Sequence, residues 1–303
     1  MEWLDFIKGA LDYIENNLLT VESPDEVAEY LNISTFYLQK GFQIITSCNI
    51  GEYIRNRRLY LAAVRLAESD EKIIDIAFEY GYETPESFTK AFFRFHGATP
   101  SEIRKDRTLI KPFLPLRVNI IVQGGQSMDF AVEKMAAFKV IGFSREFQFD
   151  TSYEEIPKFW SEIMEKYEKG LFEGNAPSNE LEQAIYSNRI GEFGVCIDDI
   201  GKDGKFRYMI AGRYMGGAVP KEMTVYEIPA TLWAKFKCIG ALPEAMQTVN
   251  TQIWREWLPG NKEYEINGRF NIEWYSTSEN NKNYQSAIWI PVKAKERDVK
   301  SSL

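Results

Sequence analysis

The sequence predicts a two-domain α+β protein, with a helical N-terminal third followed by a mixed α+β domain. Three observations predict it. Up to Arg104 the chain has only Pro24, Pro85 and Pro100, each where a helix can start, and its apolar residues recur at helical spacing. From about residue 128 the texture changes to alternating strands, Gly-rich turns and many aromatics, including six of the seven tryptophans. Between the two lies a stretch with Pro112, Pro115 and the pair Gly124–Gly125, the composition of a linker. The expected organisation is a helical domain over 1–106, a linker over 107–127, a second domain over 128–293 and a polar tail over 294–303. A length of 303 residues suits two domains.

Composition excludes several classes. Three cysteines make no disulfide framework and suit a reducing compartment. A single histidine, His96, excludes His-pair zinc sites, and no metal site, cofactor or catalytic residue is expected. No run of about 18 apolar residues exists, and the N-terminus is acidic and amphipathic, so neither a membrane span nor a signal peptide is expected. The cytoplasm is the expected compartment. The run Gly201–Gly204 fits a hairpin turn and lacks the spacing of a phosphate loop.

The helical third repeats itself. Ala28 and Ala77 are 49 positions apart, and Leu38/Phe42 and Phe88/Phe92 are 50 apart. Each copy reads as a short helix with a central alanine, a turn, and a second helix; the small residue lets two helices cross closely, as a helix-turn-helix requires. Ser34 caps a helix from Thr35 to about Thr46, and Thr84 caps one from Pro85. In the first, Leu38, Phe42 and Ile45 share the inward face, leaving Thr35, Phe36, Gln39, Lys40 and Gln43 outward. In the second, Phe88, Ala91, Phe92 and Phe95 pack inward, and Glu86, Thr89, Lys90 and Phe93 face out. Gly81 is placed for a left-handed turn. His96, at the end of the second of these helices, is expected to cap it or lie at the surface. A helix over about 50–68 joins the copies, roughly 28 Å of rigid rod at 1.5 Å per residue. Such a rod holds two helices about one DNA turn, roughly 34 Å, apart.

Charge supports a nucleic-acid reading only locally. The whole chain carries a net charge of −8. Residues 32–65 nevertheless hold five basic residues against one acid, and residues 87–107 hold five against two. Basic patches on an acidic body suit a specific DNA binder with weak non-specific affinity.

The stretch YIRNRRLYLAAVRLAESDEKIIDIAFEYGYETPESFTKAFFRFHGATPSEIRK resembles the signature of AraC/XylS-family bacterial transcription regulators. The resemblance covers about residues 1–106 and implies a seven-helix domain with two helix-turn-helix units in adjacent major grooves of double-stranded DNA. By position it implies that Thr35, Phe36, Gln39 and Lys40 face bases from the first unit, and Glu86, Thr89 and Lys90 from the second. Arg55, Arg57 and Arg94 would then meet the phosphate backbone. This sequence departs from the family at Gly41, inside the first recognition helix, and at Ser47, where a glycine is usual.

Residues 128–292 resemble the GyrI-like effector-binding fold, a pair of βαββ units around a pocket, attached to AraC-type domains in Rob-like regulators. The pieces that carry this are Trp257-Leu258-Pro259 and the strand FNIEWY. In that family an acid at the position of Glu273 lies in the pocket and meets cationic ligands. The residues suggest the same independently. Alternation puts Asn271, Glu273 and Tyr275 on one face of the strand and Ile272 and Trp274 on the other. An acid inside an aromatic strand needs a reason, and an aromatic cage around one carboxylate suits a flat or quaternary cation. Cage candidates are Trp160, Tyr214, Trp233, Phe236 and Tyr275.

The expected function is sequence-specific regulation of transcription, with a small, cationic or aromatic effector in the second domain and RNA polymerase as a protein partner. The competing expectations are a GyrI-like hydrolase of reactive small molecules, in which Glu273 activates water, and a regulator whose second domain contacts a protein.

Overall fold

The computed structural model describes residues 3–118, 128–171, 177–200, 204–277 and 280–295, with the backbone alone over 168–171. The chain divides into two compact units, residues 1–121 and 122–303.

The first unit is seven helices: α1 (Trp3–Asn16), α2 (Pro24–Tyr30), α3 (Thr35–Thr46), α4 (Ile50–Glu68), α5 (Ile73–Glu79), α6 (Pro85–His96) and α7 (Pro100–Lys105). The internal repeat is real in three dimensions. The pair α2 and α3 recurs as α5 and α6, with Ala28 and Ala77 buried where each pair crosses. Ser34 Oγ accepts from the Tyr37 N–H and Thr84 Oγ1 from the Ser87 N–H, so each second helix starts on its expected cap. The turn between each pair passes through a left-handed residue, Asn32 (φ 53°) and then Gly81 (φ 84°). Leu59, Ala62, Ala63 and Leu66 of α4 pack with Ile76, Ala77, Phe88, Phe92 and Ile103 in one core.

The repeat also explains a local weakness. Both second helices end on a left-handed residue, Gly97 (φ 76°) after α6 and Ser47 (φ 60°) after α3. A side chain costs about 1–2 kcal/mol there, offset in part by the lower chain entropy of serine. Ser47→Gly is therefore expected to stabilise the helical unit by up to about 1 kcal/mol. Urea unfolding followed by helical circular dichroism checks this, and destabilisation would contradict the repeat-based reading.

Residues 107–118 run back along the helical unit. The Lys111 N–H donates to His96 Nδ1 (3.1 Å), Phe113 packs on Tyr53 and Phe95, and the Leu116 N–H donates to Tyr53 Oη. His96 was expected as a surface cap. It is instead half-buried and neutral: Nδ1 accepts from Lys111, so Nε2 donates to the Leu59 carbonyl at 3.1 Å, and burial holds its pKa below the usual value. The remainder of the expected linker, 119–127, most of the expected tail, 296–303, and positions 201–203 of the expected hairpin lie outside the described residues.

The second unit holds β1 (Phe130–Met135), β2 (Phe138–Gln148), α8 (Phe149–Leu171), α9 (Glu180–Ser187), β3 (Phe193–Ile197), β4 (Lys205–Arg213), β5 (Thr224–Ile228), β6 (Thr231–Ile239), α10 (Glu244–Gln252), β7 (Tyr264–Ile266), β8 (Phe270–Tyr275) and β9 (Gln285–Ala294). The sheet is antiparallel, in the order β1-β6-β9-β8-β3-β4-β2-β5, with β7 on β9. This is two βαββ halves, β2-α8-α9-β3-β4 and β6-α10-β8-β9, as the resemblance implies. They exchange edge strands: β1 leads into the first half but pairs with β6 of the second, and β5 leads into the second but pairs with β2. The halves meet where β3 pairs with β8.

One face of the sheet is apolar core, with Phe138, Val140, Val195, Met209, Trp233, Phe270 and Ile272. On the opposite face Phe147 meets Phe159 of α8, and Phe236 meets Trp257 in the wide π-type turn that follows α10. The seam between β3 and β8 runs through the middle of this second face.

Candidate functional site

The DNA-facing candidates divide by helix. On α6, Phe88 and Phe92 are fully buried, while Glu86, Lys90, Phe93 and Arg94 are exposed. Thr89 is half-buried, and its hydroxyl donates to the Pro85 carbonyl at 2.8 Å. The expected amphipathic split therefore appears on this helix, with Phe93 as an apolar group between two exposed cations. On α3 it does not. Thr35 is half-buried, and Phe36, Gln39 and Lys40, expected outward, are only 5%, 3% and 8% exposed. Every residue from Phe36 to Phe42 is buried, and seven successive residues at about 100° each go round the whole helix. The Lys40 ammonium lies over the Phe36 ring, 5.5 Å from its centre.

The arginines divide as well. Arg55 is exposed. Arg57, expected at the phosphate backbone, is 5% exposed and wholly engaged inside the unit. Its Nε and Nη2 donate to the two oxygens of Glu15, at 2.8 and 2.7 Å, and its Nη1 donates to the Phe113 carbonyl at 2.6 Å. This bidentate pair and the carbonyl contact hold the guanidinium buried inside the unit, where it cannot reach a phosphate. Burial pushes the Glu15 carboxyl up, but hydrogen bonds from Arg57 and Tyr53 outweigh this and hold it below the ordinary range. Neighbouring Arg58 donates to the Leu18 and Val21 carbonyls, pinning the turn between α1 and α2.

In the second unit the seam carries a connected polar cluster. Strand alternation puts Glu273 and Tyr275 of β8 on the helix-covered face. The Tyr208 hydroxyl on β4 accepts from Trp160 Nε1 of α8 (3.0 Å) and donates to Glu273 Oε2 (3.0 Å). The Tyr275 hydroxyl donates to the same oxygen (2.9 Å), and its ring meets Trp160 edge-on with centres 5.3 Å apart. Burial, then the Glu273 charge, pushes both tyrosine pKa values well above the usual value, so both stay donors. Gly194 pairs with Glu273 across the seam; a Cβ there would lie 2.1 Å from Tyr208 Oη and 2.9 Å from Glu273 Oε2. A half-buried carboxylate held by two phenols beside a tryptophan has the charge and ring faces that suit a cation.

Of the five cage candidates, the structure brings Trp160 and Tyr275 to Glu273 and separates the other three. Trp233 points to the opposite face, against Phe270 and Trp289. Its place on β6 has the wrong parity: through the register it shares a face with Ile272, not Glu273. Phe236 is on the correct face but two strands away, beyond Ile288, and packs on Phe130 and Trp257. Tyr214 lies past the end of β4, and its hydroxyl donates to the Gly217 carbonyl of its own turn. Tyr208 and Gly194 escaped the sequence reading. Their only signal is strand order, because β3 and β4 meet β8 solely through long-range pairing.

Comparison with known proteins gives matches to both units. Residues 131–292 match the family Cass2, described as integron-associated effector binding protein, and residues 27–106 match a helix-turn-helix domain family. Regulatory protein SoxS of Salmonella typhimurium is 36% identical over 104 residues, 34% of this chain and 97% of SoxS. Multiple antibiotic resistance protein MarA of Salmonella typhi is 35% identical over 98 residues, 32% of this chain and 77% of MarA. Among solved structures, SAV2435 bound to tetraphenylphosphonium aligns with a TM-score of 0.43 at 22% identity, over 55% of this chain and 94% of that one.

Proposed function

The chain belongs to the AraC-type DNA-binding transcription regulators and, through residues 131–292, to the integron-associated effector binding proteins, and from that premise we propose how its own residues read DNA and hold an effector. Helix α6 enters a major groove with Glu86, Thr89 and Lys90 at base edges and Arg94 on phosphate. Thr35, Phe36, Gln39 and Lys40 of α3 serve the adjacent groove, which requires the arc buried in this conformation to be uncovered. The 19-residue α4 spaces the two, and Arg55 adds a phosphate contact. Arg57 has no part in this reading.

The effector is a small cation with an apolar or aromatic body, and Glu273, Tyr208, Tyr275 and Trp160 hold it. Its binding shifts the population competent to bind DNA or to engage RNA polymerase, in the cytoplasm. The observation that carries the reading is the chain of hydrogen bonds from Trp160 through Tyr208 to Glu273, joined by Tyr275: three aromatic residues from three elements converge on one carboxylate.

The DNA half is tested on sequences selected by the full chain from a random pool. Lys90→Ala is expected to weaken the selected sequence by about 1–3 kcal/mol and leave non-specific DNA nearly untouched. An equal loss on both would reassign Lys90 to phosphate. The effector half is tested by repeating the titration with a bound cation present; no change in DNA affinity would remove the coupling.

A further inference from the structure

Among the described residues, Glu273 is hydrogen-bonded through one of its oxygens. Tyr208 and Tyr275 both donate to Oε2, and no hydrogen bond reaches Oε1 among the described residues. A carboxylate oxygen has two lone-pair directions, so Oε1 keeps its full accepting capacity. One more polar group on the same face of the sheet is unsatisfied among the described residues. Asn271, two residues before Glu273 on β8, is 1% exposed and its Oδ1 has no partner. Buried polar side chains are nearly always hydrogen-bonded, so such a group calls for a cause. Asn271 lies about 6.6 Å along the strand from the carboxylate.

A quaternary cation, drawn by charge and ring faces alone, leaves both groups unsatisfied. A cation that carries several N–H donors satisfies Oε1 with one and directs another toward Asn271. We infer that the effector held at Glu273 carries its charge on N–H groups, as a protonated amine or an amidinium, and that Oε1 and Asn271 select it over quaternary cations of the same size. This rests on the cationic reading above.

Calorimetric titration of the full chain tests it with three probes that share one ring: benzylammonium, benzyltrimethylammonium and benzyl alcohol. The expected result is benzylammonium at least tenfold tighter than the quaternary analogue, with the preference reduced in Asn271→Leu. A preference below tenfold overturns the inference and leaves the cationic reading standing. Cations no tighter than the alcohol overturn both. An unreduced preference in a folded Asn271→Leu removes Asn271 from the selection and leaves Oε1 to account for it. Thermal unfolding is recorded beside each titration, and Asn271→Ala is the second variant should Asn271→Leu fail to fold.

Discussion

Glu15→Ala is expected to cost the helical unit about 3 kcal/mol. The reason is the asymmetry of a buried ion pair. Arg57 has 6% of its side chain exposed and donates two of its three side-chain hydrogen bonds to Glu15. Removing the acid leaves a guanidinium in the interior with one carbonyl for company. Breaking such a pair from one side costs about 3–5 kcal/mol, and the 24% exposure of Glu15 places this case at the low end. A single domain commonly has only about 5–15 kcal/mol in total. Urea unfolding of the full chain, read by helical circular dichroism, gives the number. A loss below about 1 kcal/mol would make the pair an ordinary surface contact. The sign of the pH dependence follows. The Glu15 carboxyl is held below its ordinary value of 4.5 in the folded state, so its contribution is present above that value and is lost as pH falls through the folded pKa. The Glu15→Ala protein should lack that part of the acid transition.

Gly194→Ala should damage the proposed effector site at Glu273 from a residue outside the aromatic cage. The added methyl would sit 2.1 Å from Tyr208 Oη, and that phenol is held by Trp160 on one side and Glu273 on the other. The phenol is no loose chain end, since Tyr208 is 1% exposed. Overpacking of this kind costs about 1–3 kcal/mol, and here it also parts Tyr208 from Glu273. The expected result is that loss of stability together with at least tenfold weaker cation binding. Tyr208→Phe, which removes the hydroxyl without a clash, should keep most of the stability and lose part of the affinity. A Gly194→Ala protein of full stability and full affinity would show that the contact between Tyr208 and Glu273 is dispensable.

Much of the helical unit is legible in the amino-acid sequence because its rules are local. Ser34, Thr84, Pro85 and Gly81 act within one turn of where they stand, and the repeat of about 50 residues marks matching positions such as Ser47 and Gly97. Alternation along Phe270–Tyr275 likewise assigns Asn271, Glu273 and Tyr275 to one face, since a strand changes face at every residue whatever its neighbours are. The fate of Arg57 and of the arc Phe36, Gln39 and Lys40 is different in kind. Glu15 is 42 positions from Arg57 and Phe113 is 56, and no local pattern announces which of four nearby basic residues will find them.

The same division runs through the candidate effector site. The residue types and the acid among aromatics were determined by the sequence alone. Which aromatics meet Glu273 was decided by the tertiary structure. The pairing of β3 with β8 and of β4 with β3 brings Gly194 and Tyr208 to the carboxylate, α8 adds Trp160, and register parity turns Trp233 away. The physical reason is that local backbone geometry sets caps, periods and faces, whereas strand order and register are set by the burial of the whole sheet, which no short segment contains.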